Sequence, residues 1–536
     1  MKLFSFLKKP KQKAETEKTV LPWQNLPPIF LHIKRYIDAT GMLSSKGNVL
    51  PDQDKRYKDN GLRWVSGGQD SILGFNGGNK NLDNTADKVA TYAAEISLTN
   101  NLNTRIDLYK ILIEDNVLAY IETAMEKMAS MEIQVSPHLD RYARWLAFQA
   151  PHRGAVKLGI ALLGIIGNNY DKKGLITLGK HEEFTLFAAV AIMNMSETPE
   201  LDLWNMAKYV SGWGKINIVE RLAETNNPDI KNWLLREGFK NTIMYEYLAY
   251  TCAVAGNLKQ ALTARKIDTD LFKGAGTILT TLLNDNSPVE DIYSYEDGAE
   301  ALQLYLNHMT HHNDLSINEF IILHRFKDFL EDTAKDWKDL DAMDWTEDHR
   351  ANLLIDIHTI LSKTNWNAIV KEQLENPSIP FWQIKQAGKL LHISTWDTYL
   401  QLLTNKPICD SYWFFIHDYV SDETIDLLID LAKKKFDLSK IASSVQQTEP
   451  KGAIFEELMA FDSVLYTLAK YPGKGVTLLK AGLESPLAKN RYTVTYILSE
   501  WGTDNIPSTF NSLLKKVLKN ELEENLIKRY EKLLNK

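Results

Sequence analysis

The sequence predicts an all-α chain, a curved α-solenoid of antiparallel helical pairs behind an irregular N-terminal segment. Three observations predict it. Apolar residues recur at spacings of three and four over most of the chain. Polar–proline pairs at Ser136-Pro137, Thr198-Pro199, Asn227-Pro228, Ser287-Pro288 and Ser485-Pro486 precede such stretches. The polar side chain accepts a bond from an orphan amide, and proline at the first helical position has no amide to leave unsatisfied. Strand-like alternation is nearly missing, and 536 residues exceed one ordinary core. A solenoid accommodates that length because each helical pair packs only on its neighbours.

Residues 1–21 read as a basic tail. The first 18 hold six lysines against Glu15 and Glu17, a side-chain charge of +4. Met1, Leu3, Phe4, Phe6 and Leu7 suit a weak contact with an anionic membrane; a mobile, solubilising tail is the plainer expectation. Residues 22–82 read as an irregular cap, with one helix around Ile29–Ala39 and then glycine punctuation from Gly61 to Gly78.

From residue 83 helical spacing takes over. Leu102, Ile106, Tyr109 and Ile113 line one face, and runs follow at Asn116–Gln134, His138–Gln149 and Ala155–Ile166. The apolar run Leu158–Ile166 spans nine residues, where a membrane span needs roughly 20. Pro199 and Pro228 stand 29 residues apart, Pro377 and Pro407 stand 30 apart, the scale of helix–turn–helix units. The stretch Pro228–Gly238 puts Ile230, Trp233 and Leu234 on one face, with Gly238 expected to close it in the left-handed conformation.

This repeat region, 83–284, gives way to an acidic-to-mixed one, 285–432. Residues 285–350 hold 17 Asp and Glu against five Lys and Arg, a net −12. In the C-terminal region 433–536 the balance is 17 basic against 12 acidic, a net +5. There Ser485–Gly502 carries Leu487, Val494, Ile497 and Leu498 and ends at Trp501-Gly502.

An early proline, an apolar ladder and a basic residue in the second helix recur as Pro199 with Lys215 or Arg221. Pro486 with Arg491 repeats the pattern in compressed form. These features resemble the HEAT and armadillo α-solenoids over most of residues 83–520. The resemblance implies architecture and carries no chemistry.

Candidate chemistry is sparse. His308, His311 and His312 share one helical turn, a spacing that zinc or iron tolerates, with Asp314 or Asp328 as an oxygen donor. The pattern is not HExxH, and histidines in the last turn of a helix suit its dipole. No metal or other cofactor is therefore expected. Lys273–Thr277 lacks the GxxxxGK[ST] phosphate loop and reads as a helix–helix corner. The acidic pairs read as caps and solvent-facing groups.

The strongest recognition segment places Trp213 between Gly212 and Gly214, followed by Lys215, Arg221 and Arg236. Trp and Arg dominate interface hot spots, so these four are the candidate partner-binding residues; bracing of a corner is the alternative role. Cys252 and Cys409, the two cysteines, exclude a disulfide framework and favour a reducing, cytoplasmic setting. Net charge −7 disfavours nucleic acid as a partner. The expected function is a non-enzymatic scaffold that binds a protein partner along its helical surface. The alternatives are a DNA-glycosylase-like enzyme, a metal enzyme using the histidines, or self-assembly through a C-terminal seam from Leu513 to Leu534.

Overall fold

A computed structural model describes residues 21–52 and 83–535, apart from short interruptions at 115, 285, 313, 374–375, 377–378, 406, 409–412, 414–415, 418, 444–449, 451–452 and 503–504. The basic tail and the glycine-rich stretch 53–82 lie outside the described residues. Within these the fold is all-α, and its β features reduce to one isolated bridge between Ile37 and Leu43. The described residues fall in two compact units. One is drawn from Met1–His312 and Arg325–Ile360, the other from Asn313–His324 and Leu361–Lys536.

The first unit opens with α1 (Ile29–Arg35) and continues with α2 (Asp83–Thr99), α3 (Leu102–Glu114) and α4 (Leu118–Ser130). A repeat-like series of antiparallel pairs follows: α5 (Pro137–Gln149) with α6 (Arg153–Ile166), α7 (Asn169–Leu178) with α8 (Glu182–Met195), α9 (Pro199–Ala207) with α10 (Gly212–Val219). Helix α5 shows why the sequence folds this way. Ser136 accepts from the amides of His138 and Leu139 at 3.2 and 3.3 Å, and Leu139, Tyr142, Ala143, Leu146 and Ala147 bury one face. Asn168 and Asp171 form a reciprocal capping box that starts α7. Arg144 of α5 then grips Asp171 with two bonds of 2.9 Å, tying one pair to the next.

Helices α6, α8 and α10 pack on one another in an inner row, with α5, α7 and α9 beside them. Most residues of the inner row are buried, and its exposed apolar positions are Ile165, Val190 and Met193. Next come α11 (Pro228–Trp233), which runs on as a π-turn at Leu234–Gly238, then α12 (Glu246–Ala255), α13 (Leu258–Leu262), α14 (Thr269–Leu282) and α15 (Gly298–Thr310). Helices α16 (Ile317–Leu330) and α18 (Glu347–Lys363) each have residues in both units, and α17 (Lys338–Asp341) belongs to the first.

Some punctuation behaves differently from expectation. Pro137, Pro199 and Pro228 each occupy the first helical position, though the Thr198 side chain makes no cap bond. Ser287-Pro288 lies in a turn, because the chain bends from α14 towards Ile292, whose amide donates to Leu282 O at 2.9 Å. Gly238 is not left-handed; a Cβ there would press on Leu234 at 3.0 Å, so close packing explains it. Lys273–Thr277 sits inside α14 rather than at a corner. A Cβ on Gly274 would lie 2.0 Å from Leu235 O, so its absence lets α14 pack against the π-turn.

The N-terminal segment straps the first unit. Lys180 Nζ donates to Gly41 O at 2.7 Å, and His181 Nε2 donates to Asn48 O at 3.3 Å. Asp52 caps α6 from outside the helix by accepting from Arg153 N at 3.0 Å, and it also accepts from the Arg153 guanidinium. Arg153 Nη1 reaches Glu183 Oε2 at 3.1 Å, and Lys157 Nζ reaches Glu183 Oε1 at 2.8 Å. All four charges are buried. Each answers the next, which offsets their desolvation.

The second unit contains α19 (Trp366–Gln373), α20 (Phe381–Leu391), α21 (Trp396–Asn405), α22 (Ile425–Lys435) and α23 (Leu438–Ile441). It ends with α24 (Ala453–Thr467), α25 (Val476–Leu483), α26 (Ala488–Trp501), α27 (Thr509–Leu518) and α28 (Glu524–Leu534). Helices α24, α26 and α28 form one row, with α25 and α27 against it. Ser485-Pro486 precedes the helix by two residues; Ser485 is buried and accepts from Leu487 N at 3.2 Å. Arg491 is fully used inside, donating to both Glu521 oxygens at 2.9 and 3.0 Å and to Ser485 O at 2.7 Å.

Candidate partner-binding site

The expected recognition segment forms a corner between α9 and α10. Gly212 has φ +62°, and a Cβ there would strike the Glu182 carboxylate at 2.1 Å. Its amide donates to Asn241 Oδ1 at 2.7 Å, and Trp213 N donates to Glu182 Oε2 at 3.0 Å. The Trp213 ring is 7 % exposed and meets Tyr247 edge-on at 5.1 Å. Lys215 is buried too, with Nζ donating to Glu237 O at 2.8 Å and Lys240 O at 2.7 Å. There it closes the end of the π-turn, where carbonyl oxygens run out of amide partners.

Burial sets the local acidities. It pushes the Glu182 carboxyl up to about 7 and the Lys215 ammonium down to about 8. Glu220, half-buried beside Arg221, is likewise raised to about 7 by burial. Arg221 Nη1 donates to Asn217 O, and Arg236 pairs with Asp268 at 2.6 Å from a half-buried position. The structure thus brings Trp213 and Lys215 into the interior of one corner and leaves Arg221 and Arg236 partly accessible.

Beside that corner runs a surface that sequence reasoning missed. Between the π-turn and α12, Ile243, Met244 and Tyr245 are consecutive and exposed at 37, 38 and 38 %. The loop is not slack at its start. Asn241 accepts from Gly212 N and Thr242 N and donates from Nδ2 to Gly212 O at 3.3 Å. Tyr245 rests edge-on against buried Phe239 at 5.8 Å. Three apolar residues in a row gave no periodic signal, and only tertiary packing shows them uncovered.

The three histidines do not converge. His308 Nε2 donates to Leu262 O at 2.9 Å, His311 Nδ1 donates to Asn307 O at 2.9 Å, and His312 stacks on Phe272 at 4.1 Å. Among the described residues no group of three His, Cys, Asp or Glu side chains is placed to hold a metal ion. Along the C-terminal seam Leu514, Val517 and Leu526 are buried within the last helices, while Leu522 is exposed. No described helix is long and apolar enough to cross a membrane. Compared with known proteins, the chain matches no family model, no curated protein and no solved structure.

Proposed function

We propose that the protein is a non-enzymatic interaction scaffold that docks a protein partner at the Gly212–Tyr245 corner. The exposed trio Ile243, Met244 and Tyr245 carries this reading. Adjacent apolar side chains on a loop pinned by Asn241 provide desolvatable area without a large ordering cost. Arg236, in the π-turn that precedes this loop, and Arg221 are the partly accessible directed donors of the segment. Trp213 and Lys215 act as supports that hold the corner's shape. The repeat-like helix pairs supply a rigid frame for it.

The test is affinity capture with mass spectrometry on the full chain, followed by calorimetry with the captured partner. Met244→Asp and Tyr245→Ala are expected to keep the helical circular dichroism spectrum and to weaken binding at least about tenfold. Wild-type affinity in both folded variants would remove the corner as the docking site.

A further inference from the structure

The row α24–α26–α28 carries a second exposed surface with a different chemistry. Lys489, Tyr492 and Tyr496 follow one another at spacings of three and four along α26, and none of them is buried. Tyr496 and Tyr466 of α24 are 39 and 49 % exposed. Their rings are nearly parallel, 13° apart with centroids at 6.2 Å, so they form one platform across two helices. His417 closes one side by meeting Tyr466 edge-on at 5.8 Å. On the other side the exposed Arg529 guanidinium of α28 lies over the Tyr492 ring at 5.4 Å.

The polar groups on this face are biased towards donors. The face carries Tyr466, Tyr492 and Tyr496, the Lys489 ammonium and the Arg529 guanidinium, whose Nη1 also donates to buried Thr495 Oγ1 at 3.5 Å. Asp462 is buried and already accepts from Thr493 Oγ1 at 2.7 Å, with Lys489 at 3.6 Å. Glu500, one turn beyond Tyr496, is the acid that continues the stripe. The surrounding region 433–536 carries a net +5.

We propose that this face binds an extended, proline-rich peptide segment flanked by acidic residues. A polyproline II chain has carbonyls without amide partners and pyrrolidine rings that pack on aromatic side chains. Tyrosines meet both needs, and they lose little rotamer freedom in doing so. The exposed Arg529 guanidinium complements the flanking carboxylates. Single-stranded nucleic acid also stacks on aromatic rings, but it needs a groove of cations along its phosphates. Here the cations are few, Lys489 is shared with Asp462, and the chain has a net charge of −7.

The experiment uses the full chain and fluorescence anisotropy of a labelled oligoproline peptide ending in paired glutamates. Saturable binding is expected, weakened at least about tenfold by Tyr466→Ala or Tyr496→Ala. Tyr466→Phe and Tyr496→Phe keep the rings and are expected to retain binding within about threefold, because ring stacking is the larger part of the contact. Arg529→Gln is expected to remove the preference for the acidic peptide over an uncharged oligoproline. Met244→Asp, at the other unit's corner, leaves this binding unchanged, so the two docking surfaces stand or fall separately. Absence of peptide binding, or undiminished affinity in both alanine variants, overturns the proposal. Tighter, tyrosine-dependent binding of a labelled oligothymidine overturns it in favour of nucleic acid.

Discussion

Glu182 holds the Trp213 amide with a carboxyl that burial has pushed up to about 7 from an ordinary 4.5. Between those two values the folded chain carries more protons at this site than the unfolded chain does. The sign follows: stability is highest below about pH 4.5 for this group and falls as pH rises through 7. Glu220 adds in the same direction. Urea midpoints measured from pH 5 to 7 are expected to decline, with a flatter profile in Glu182→Gln/Glu220→Gln; an unchanged slope in the double variant contradicts the assignment. Lys215 runs oppositely, since its depressed value of about 8 makes stability rise between that pH and 10.5. Trp213→Ala empties a buried site and is expected to destabilise by roughly 3–5 kcal/mol in denaturant unfolding. A loss below about 1 kcal/mol would show that Trp213 is not a brace.

Helices were the legible part of this sequence because their signals are local. Apolar spacing placed α5 and α6 within two residues of their observed starts, and Ser136 announced its cap. Ser136→Ala is expected to cost about 1 kcal/mol by thermal unfolding. The misreadings at Gly238 and Gly274 share a cause: both glycines answer to a neighbouring element, and one-dimensional spacing contains no neighbour. Gly274→Val forces the Cβ that Leu235 O excludes at 2.0 Å, so an overpacking loss of about 1–3 kcal/mol is expected. Wild-type stability in that variant would mean that α14 can move away freely. The recognition corner was legible in part, since glycines flanking a tryptophan marked a turn. Whether Trp213 faced outward was not, because burial depends on Tyr247 and Glu182, which arrive from other helices.

Across the first unit, the layered packing sets a gradient of protection. Amides of α6 and α8, buried over most of their length, open only with large-scale unfolding, whereas α7 and α9 border solvent more widely. Hydrogen exchange followed by mass spectrometry is expected to show α6 and α8 exchanging last; equal rates in the two rows would deny the layering. The exposed loop at Ile243 and the tyrosine platform escaped the sequence because accessibility belongs to the assembled layers. The strap has a further consequence, in the order of events during synthesis. Asp52 leaves the ribosome 101 residues ahead of Arg153 and well ahead of Glu183. At translation rates of roughly 5–20 residues per second the carboxylate waits several seconds for its first partner. It waits hydrated, because its dry site forms only when α6 and α8 close over it. The strap at Asp52 is therefore a late-docking piece, and a nascent chain halted before residue 183 lacks the charge that completes its clasp.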